Sequence, residues 1–476
     1  MARPEFDLCV IGGGSAGLVV AAGGAALGAK VALIERRALG GDCLYYGCVP
    51  SKTLLHSAKV AHTMRRADQL GIEPCSPRIQ IGQVMQRVAS VISTLQPHDS
   101  PERFRGLGVE VIFGTGHFIN GGTFQIHERT ITASHFVLAT GSRAAIPSLP
   151  GLDEVPYLTN ETLFSLSQPV PSLMVLGAGP LGVEMAQAFS RLGSEVQVVE
   201  RGDQILPRED LDLAQVVADQ LRREGVKIHL GHQATRIERR GEEVQLWVRE
   251  GDGQERVLSS THLLIAAGRH PNVEGLGLDE AGVAVEKGRV LTDSYLRTTN
   301  PRIFAAGDVT SPYQFTHVAE HQAGVVLRNA LFPFKVRREE KAIPWCTLTD
   351  PELARVGLSE TRAKASGIAH QVYTFPFPEI DRAQTAAEAI GFAKVITSPG
   401  GRLLGAAIVG PHAGELIHEY VLALSRRMKL SDLYRPIHIY PTLAQISRRV
   451  AEVRLKQTLT PGLRKWIQRL LRLRGA

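Results

Sequence analysis

Cysteine is scarce. The chain holds five in 476 residues, Cys9, Cys43, Cys48, Cys75 and Cys346, too few and odd in number for a disulfide scaffold. Long apolar runs are also missing. No stretch approaches the ~18 consecutive apolar residues of a membrane span; the run from Leu18 to Ala29 is mostly Gly and Ala and is interrupted at Gly23 and Gly24. An integral membrane protein is therefore not expected. Charged residues make up 21% with both signs mixed, too few for a disordered chain. The apolar strand pattern Phe6 to Ile11 begins almost at Met1 with no basic or apolar leader before it, so no secretory signal is expected and the cytoplasm is the expected compartment.

Glycine is plentiful, at 47 residues against roughly 33 from average usage, and the length suggests about three domains of ~150 residues. The formal charge of +7 is unevenly placed. From Ser447 to Ala476 nine cations (Arg448, Arg449, Arg454, Lys456, Arg464, Lys465, Arg469, Arg472, Arg474) accompany one acid, Glu452, so this tail holds +8 and the rest of the chain −1. The basic balance belongs to the C-terminus, and no nucleic-acid partner is expected of the body.

Two segments repeat one pattern of strand, glycine turn, helix, strand and acid. The first runs from Asp7 through Gly12, Gly14 and Gly17 to Glu35; the second from Leu173 through Gly177, Gly179 and Gly182 to Glu200. Each carboxylate stands 18 residues past its last glycine. Gly12 and Gly177 permit the tight turn, Gly14 and Gly179 let backbone approach a pyrophosphate, and Gly17 and Gly182 let helix pack on strand. The diphosphate would sit at the helix N-terminus. Two such sites suggest two different nucleotides, and hydride transfer from a nicotinamide to a flavin would use both.

After Glu35 comes Gly40-Gly-Asp-Cys43-Leu-Tyr-Tyr-Gly-Cys48-Val-Pro-Ser-Lys52. Five residues of regular helix rise about 7.5 Å, beyond the roughly 7 Å Cα limit for a disulfide. If these cysteines pair, the turn between them is non-helical, which Gly47 permits. Pro50 suits a first helical turn and places Cys48 just before a helix N-terminus, where a thiolate is stabilised. The alternatives are buried small residues or half of a zinc site, and no second cysteine pair or histidine cluster exists to complete one; no metal ligands are expected.

With these motifs the sequence resembles the flavin-dependent pyridine nucleotide–disulfide oxidoreductases, a family that includes lipoamide dehydrogenase, glutathione reductase and mercuric reductase. The resemblance extends to Val137-Leu-Ala-Thr140-Gly141-Ser and Ala266-Ala-Gly268-Arg269, which close the two nucleotide segments. It also takes in Thr299-Asn-Pro-Arg-Ile-Phe-Ala-Ala-Gly-Asp308 and Pro344 to Gly357, the latter like the opening of a dimerisation domain. It implies an α/β fold of two Rossmann-like dinucleotide-binding domains, the FAD domain (1–150 and 271–339) carrying an inserted NAD domain (151–270). A C-terminal α+β dimerisation domain (340–460) and a basic helix (461–476) would follow.

The resemblance further implies that Glu35 binds the flavin-adenine ribose, Gly116 the adenine through its backbone, and Asp308 the ribityl chain. Thr140, Gly141 and Gly268 would line the cofactor sites. Cys48 would lie against the flavin, Cys43 would attack substrate, and Lys52 would pair with Glu184 near the flavin's reactive edge. Glu200 favours NADH, with NADPH possible because Arg201 adjoins it.

Two departures bear on the substrate. Where lipoamide dehydrogenase and glutathione reductase carry His-Pro-Thr and a Glu three residues on, this chain reads His438-Ile-Tyr440-Pro-Thr-Leu-Ala-Gln445. An unperturbed tyrosine, pKa ~10, is a poor base near neutral pH; His438 could share a face with Tyr440 on an extended chain and take over. Tyrosine here resembles mercuric reductase, yet that family's terminal cysteine pair is missing; Cys75 and Cys346 read as buried apolar thiols. Tyr45 and Pro180 also replace the Asn and the nicotinamide-gating Tyr of many relatives.

The expected reaction passes hydride from NAD(P)H through FAD to a Cys43–Cys48 disulfide and on to an oxidised disulfide or metal-ion substrate. Mercuric-ion reduction, dihydrolipoamide oxidation and a low-turnover flavin-binding role are the alternatives. A homodimer is expected. In the tail, Leu463, Trp466, Ile467, Leu470 and Leu471 recur at helical spacing opposite Arg464, Lys465, Gln468, Arg469 and Arg472. Such a helix reads as a peripheral membrane or protein contact, or as packing in the homodimer.

Overall fold

The computed structural model describes residues 3–251 and 253–473. Its first sheet sets the strands Val109–Phe113, Val31–Glu35, Phe6–Ile11 and Arg129–Leu138 side by side in parallel. Ile303–Ala305 completes it on the far side of Arg129–Leu138. These strands are nearly continuous apolar runs because both faces are covered, one by helices through Ala16, Leu18, Ala319 and Ala323 and the other by Phe118, Phe124, Leu278 and Val290 outside any helix: Leu8, Cys9, Val10, Leu33, Phe136 and Val137 are fully buried. The early part of Arg129–Leu138 turns away and pairs antiparallel with Thr123–Ile126, which pairs with Gly116–Asn120. Helix Ser15–Ala26 owes its small residues to the Thr316–Leu331 helix laid on it; at Gly23, Leu327 occupies the place a Cβ would take.

Between the first and last strands of that sheet the chain builds a second parallel sheet, in the order Lys227–Leu230, Glu195–Glu200, Ser172–Leu176, His262–Ile265. An antiparallel trio, Gln233–Arg240, Glu243–Arg249 and Glu255–Ser260, accompanies it. The third unit is a five-stranded antiparallel sheet, ordered Pro344–Thr347, Glu352–Gly357, Leu403–Gly410, Phe392–Thr397, Gln371–Pro376. Helices Ala413–Ser425 and Gln445–Thr458 pack on it through Ile417, Tyr420, Ile446 and Val450.

Buried ion pairs lock the second unit to the third. Lys394, 4% exposed, meets Asp210 at 3.3 Å, Asp212 at 2.9 Å and Glu360 at 2.6 Å. Arg191 binds Glu224 at 2.7 Å and Asp350 at 3.0 Å. Beyond Thr458 a further helix spans Pro461–Leu471, its apolar residues on solvent rather than in a core. Arg474, Gly475 and Ala476 lie outside the described residues. No helix among the described residues is long and apolar enough to cross a membrane.

Candidate active site

The two glycine turns have one geometry. Gly12 and Gly177 take φ of 108° and 109°, the left-handed region where a side chain is strained. A Cβ on either would strike the carbonyl of Ala139 or Ala266 on the neighbouring strand. Gly17 and Gly182 are fixed by close approach: each has the carbonyl of its own turn glycine where a Cβ would go. In the first turn the Glu35 carboxylate accepts from Gly13 N at 2.7 Å and Arg37 N at 2.9 Å. In the second, Glu200 accepts from Ala178 N at 2.8 Å and Gly202 N at 2.9 Å.

Residues between those turns and the helices are open. Nothing lies within 4 Å of a Cβ built on Gly179, Gly141 or Gly268, and Gly14 meets only Gly41 Cα at 3.8 Å. The helices that start after Gly14 and Gly179 have no side-chain cap, so their first amides remain available to an anion. This cradle fits a dinucleotide diphosphate at each turn. Thr140 is strapped to Asn272, its hydroxyl donating to the Asn272 carbonyl at 2.7 Å. Gly116 differs: a Cβ there would strike Gln125 and Phe124 of its own hairpin, so packing accounts for the glycine.

Cys43 sits in the short helix Gly41–Tyr45 and Cys48 is itself the first residue of helix Cys48–Arg65, rather than preceding it. The helix is broken between them at Tyr46 and Gly47, the latter at φ −121° and ψ −110°, which brings the thiols into hydrogen-bond contact. Cys48 Sγ also lies 3.5 Å from Thr316 Oγ1. Donation from Cys43, then from Thr316, and the nearby Lys52 charge hold Cys48 down to about 6 against the opposing effect of burial. The same Cys43–Cys48 bond pushes Cys43 up. The Thr316 hydroxyl and the Lys52 charge thus favour the thiolate at Cys48.

Lys52 Nζ donates to Glu184 at 2.9 Å, with 38% of the lysine side chain accessible and 4% of the glutamate. Burial works against the Lys52 charge, but Glu184 outweighs it and the lysine is raised overall. The other Glu184 oxygen accepts from Leu348 N at 2.8 Å, so the third unit fixes the carboxylate that fixes the lysine. Cys48 is exposed and Lys52 half-open, with Glu184 buried beneath the lysine; this solvent-facing opening is the redox slot.

Arg269 joins the parts around this slot. It meets Asp42 at 3.2 Å, donates to Ser142 Oγ at 2.7 Å and lies 3.7 Å from Asp308. Burial raises Asp308, against the Ser142 bond and Arg269.

Tyr440 is not brought to Cys43. Its hydroxyl donates to Asp381 Oδ2 at 2.9 Å, in a shallow recess shared with Glu379, Arg382, Gln445 and Arg449. His438 does not share its face: the imidazole is turned to Glu419 at 3.1 Å and Pro436 O at 3.1 Å. Gln445 binds the His438 and Ile439 carbonyls, both at 3.3 Å. Cys75 is exposed, contrary to the expectation of a buried thiol. Cys346 is partly buried, and burial, then Glu352 and Glu184, push it up. Among the described residues no group of His, Cys, Asp and Glu is arranged to hold a metal ion.

Sequence reasoning missed Thr316, Asn160 and Asp381. Asn160 Nδ2 donates to Asp42 at 2.9 Å and to the Tyr46 carbonyl at 3.3 Å, so it orders the turn between the cysteines. None stands in a motif with the residue it serves.

Comparison with known proteins matches residues 6–323 to the pyridine nucleotide-disulphide oxidoreductase family and residues 343–450 to its dimerisation domain. A mercuric reductase of Bacillus cereus is 33% identical over 443 residues, covering 93% of this chain and 70% of that protein. A dihydrolipoyl dehydrogenase of Chlamydia muridarum is 38% identical over 448 residues, covering 93% and 95%. Among solved structures, the Cu(II) complex of the HOCl-induced flavoprotein disulfide reductase RclA from Escherichia coli superposes with a TM-score of 0.85 at 29% identity. That match covers 95% of this chain and 100% of that one.

Proposed function

Because the chain belongs to the pyridine nucleotide-disulphide oxidoreductases, we propose that its two glycine turns bind FAD and a nicotinamide dinucleotide, and that Cys43 and Cys48 relay the electrons to an oxidised acceptor. The carrying observation is the convergence of Cys43, Thr316 and Lys52 on Cys48. When bound, FAD accepts a hydride and returns two electrons to a disulfide. Around it Cys48 presents a thiolate, Lys52 held by Glu184 keeps positive charge at the slot, and Asp308 with Ser142 offers polar partners to the ribityl chain. Cys43, the protonated partner, is the residue that meets substrate. The nicotinamide dinucleotide is read as NADH, because Glu200 is held by two backbone amides where a 2′-phosphate would otherwise sit.

The dimerisation domain supports a homodimer. Tyr440 touches no residue of the redox pair in its own chain. With Ile437 (96% exposed), Ile439 (77%) and Tyr440 (68%) it forms a bare strip, and dimerisation would carry this strip to the slot of a second copy. The acceptor is a disulfide or a metal ion. The Tyr440–Asp381 bond favours the metal ion: the phenol's proton is engaged, whereas a thiolate leaving a reduced disulfide needs a proton donor. A two-electron metal ion, or two one-electron ions, takes the electrons of NADH with release of one proton and no proton delivered to substrate. Residues 461–476 are read as a contact for a partner beyond the second copy, and the cytoplasm as the compartment. Anaerobic NADH titration of the yellow protein, followed by a small disulfide, lipoamide, dihydrolipoamide, Hg(II) and Cu(II), tests this reading. Bleaching by NADH and recovery of colour with a metal ion are expected; no bleaching refutes the electron path.

A further inference from the structure

The dimerisation-domain match ends at Val450, and the chain continues through Thr458 into the helix Pro461–Leu471. Its start is well made: the Thr460 hydroxyl accepts from Leu463 N at 3.3 Å, and Pro461 occupies the first turn. Leu463, Trp466, Ile467, Leu470 and Leu471 stack on one face, and none of them is buried. Trp466, Leu470 and Leu471 are 59%, 62% and 60% exposed, and Leu459 and Leu473, just outside the helix, are exposed too. Arg464, Lys465, Arg469 and Arg472 stand opposite, and no acid follows Glu452. A contiguous apolar face of this kind marks a contact surface.

We infer that this helix is a peripheral anchor that lies flat on an anionic lipid surface. Eleven residues rise only ~16 Å, about half of the ~30 Å hydrocarbon core, so the helix has no depth to cross and seats in the plane with its apolar face down. Trp466 stands beside the cations, at the level where indole rings meet headgroups. The charge layout selects the occupant. The last thirty residues hold +8 while the rest of the chain holds −1, so an anionic surface attracts this end alone and orients the molecule. A second copy is the poorer occupant, because twofold pairing of the apolar faces would leave the cations on the opposite side without an anionic partner, whereas an anionic surface engages them as well. The anchor stands apart from the identity of the acceptor, since none of its residues touches the redox slot.

The test uses the FAD-loaded, full-length protein in flotation with vesicles of phosphatidylglycerol and phosphatidylcholine, or of phosphatidylcholine alone. The wild type is expected to float with the anionic vesicles and to bind neutral ones on the order of tenfold less. Raised salt should release it, and Trp466 emission should shift to the blue, a shift absent from Trp466→Phe. Chains ending at Thr458, and Leu470→Asp, are expected to stay unbound while eluting as the wild-type dimer and bleaching normally with NADH. The inference is overturned if the wild type ignores anionic vesicles, binds neutral ones equally well, or loses its dimer on truncation, the last outcome assigning the helix to the second copy.

Discussion

The Tyr440 hydroxyl donates to the Asp381 carboxylate at 2.9 Å, across 59 residues of sequence. A phenol has one proton, and this one is committed, so the oxygen turns its lone pairs toward whatever docks beside it. The sequence motif locates the orienting carboxylate at position 445, where glutamine stands. The structure supplies a different acid from the helix Asp381–Thr385, while Gln445 binds backbone carbonyls.

That relationship predicts opposite effects on two acceptors. Dihydrolipoamide oxidation needs a base, and its turnover should fall 10²–10⁴-fold below that of lipoamide dehydrogenases, the usual value of general base catalysis. Tyr440→His with Gln445→Glu should recover part of it. Asp381→Asn should raise KM for a metal ion about tenfold, the worth of a hydrogen bond to a charged group, without slowing flavin reduction by NADH. The hydrogen bond to Asp381 also holds the Tyr440 phenol above the ordinary tyrosine range. The ultraviolet ionisation step lost in Tyr440→Phe should therefore move to lower pH in Asp381→Asn. Efficient dihydrolipoamide oxidation by the unmodified protein would refute the assignment.

Cys48 makes a prediction in pH. Its pKa lies at about 6, so in the reduced protein the thiolate is present above that value and disappears as pH falls through it. Alkylation of Cys48 by iodoacetamide, followed by mass spectrometry, should rise through about 6 and level off by neutrality; an unperturbed thiol would rise near ~8.5. Lys52→Met should move the midpoint upward. Cys43 should be alkylated only at higher pH. Cys48→Ser should abolish acceptor reduction and leave FAD bound, because the cradle lies elsewhere.

The legible parts of this protein are those written locally. A turn glycine, its packing glycine and the acid at the end of the next strand fall within one short repeat, so both nucleotide turns are visible as patterns. The Cys43 to Lys52 segment is visible for the same reason. What escaped were partners folded in from far away. Thr316 reaches Cys48 across 268 residues, Asp381 comes from another helix, and Asn160 ties down the cysteine turn from the start of the inserted unit. His438 shows the converse: spacing allowed it to stand beside Tyr440, but Glu419 on helix Ala413–Ser425 draws it the other way.

The proposed preference for NADH turns on Glu200. Its two oxygens are occupied by the amides of Ala178 and Gly202, which keeps the carboxylate in place, while Arg201 is turned to solvent. NADH should therefore have the higher kcat/KM, and Glu200→Ala should narrow the gap mainly through KM for NADPH. Equal or better use of NADPH by the wild type would mean that Arg201 swings inward.

Lys394 predicts how acid unfolds the molecule. It is buried between units and gathers Asp210, Asp212 and Glu360. Burial works against the Asp210 charge, but its bonds from Thr361 and the attraction of Lys394 outweigh it and leave the group lowered. Glu360 is lowered by Lys364 and then by Lys394. A carboxylate with a depressed folded pKa contributes stability above its unfolded value and loses it as pH falls through the folded one. This contribution is thus intact at neutral pH and vanishes only in the acid range below ordinary carboxylates. Lys394→Met removes the cation and leaves Asp210 buried without it, at a cost of roughly 3 kcal/mol at neutral pH. Because Lys394's share of the depression goes with the lysine while the shares of Thr361 and Lys364 remain, the variant's stability should fall somewhat less steeply than the wild type's as pH is lowered. Urea melts from neutral to acid pH read both effects, and parallel curves for the two proteins would show that Lys394 does not set the acid response.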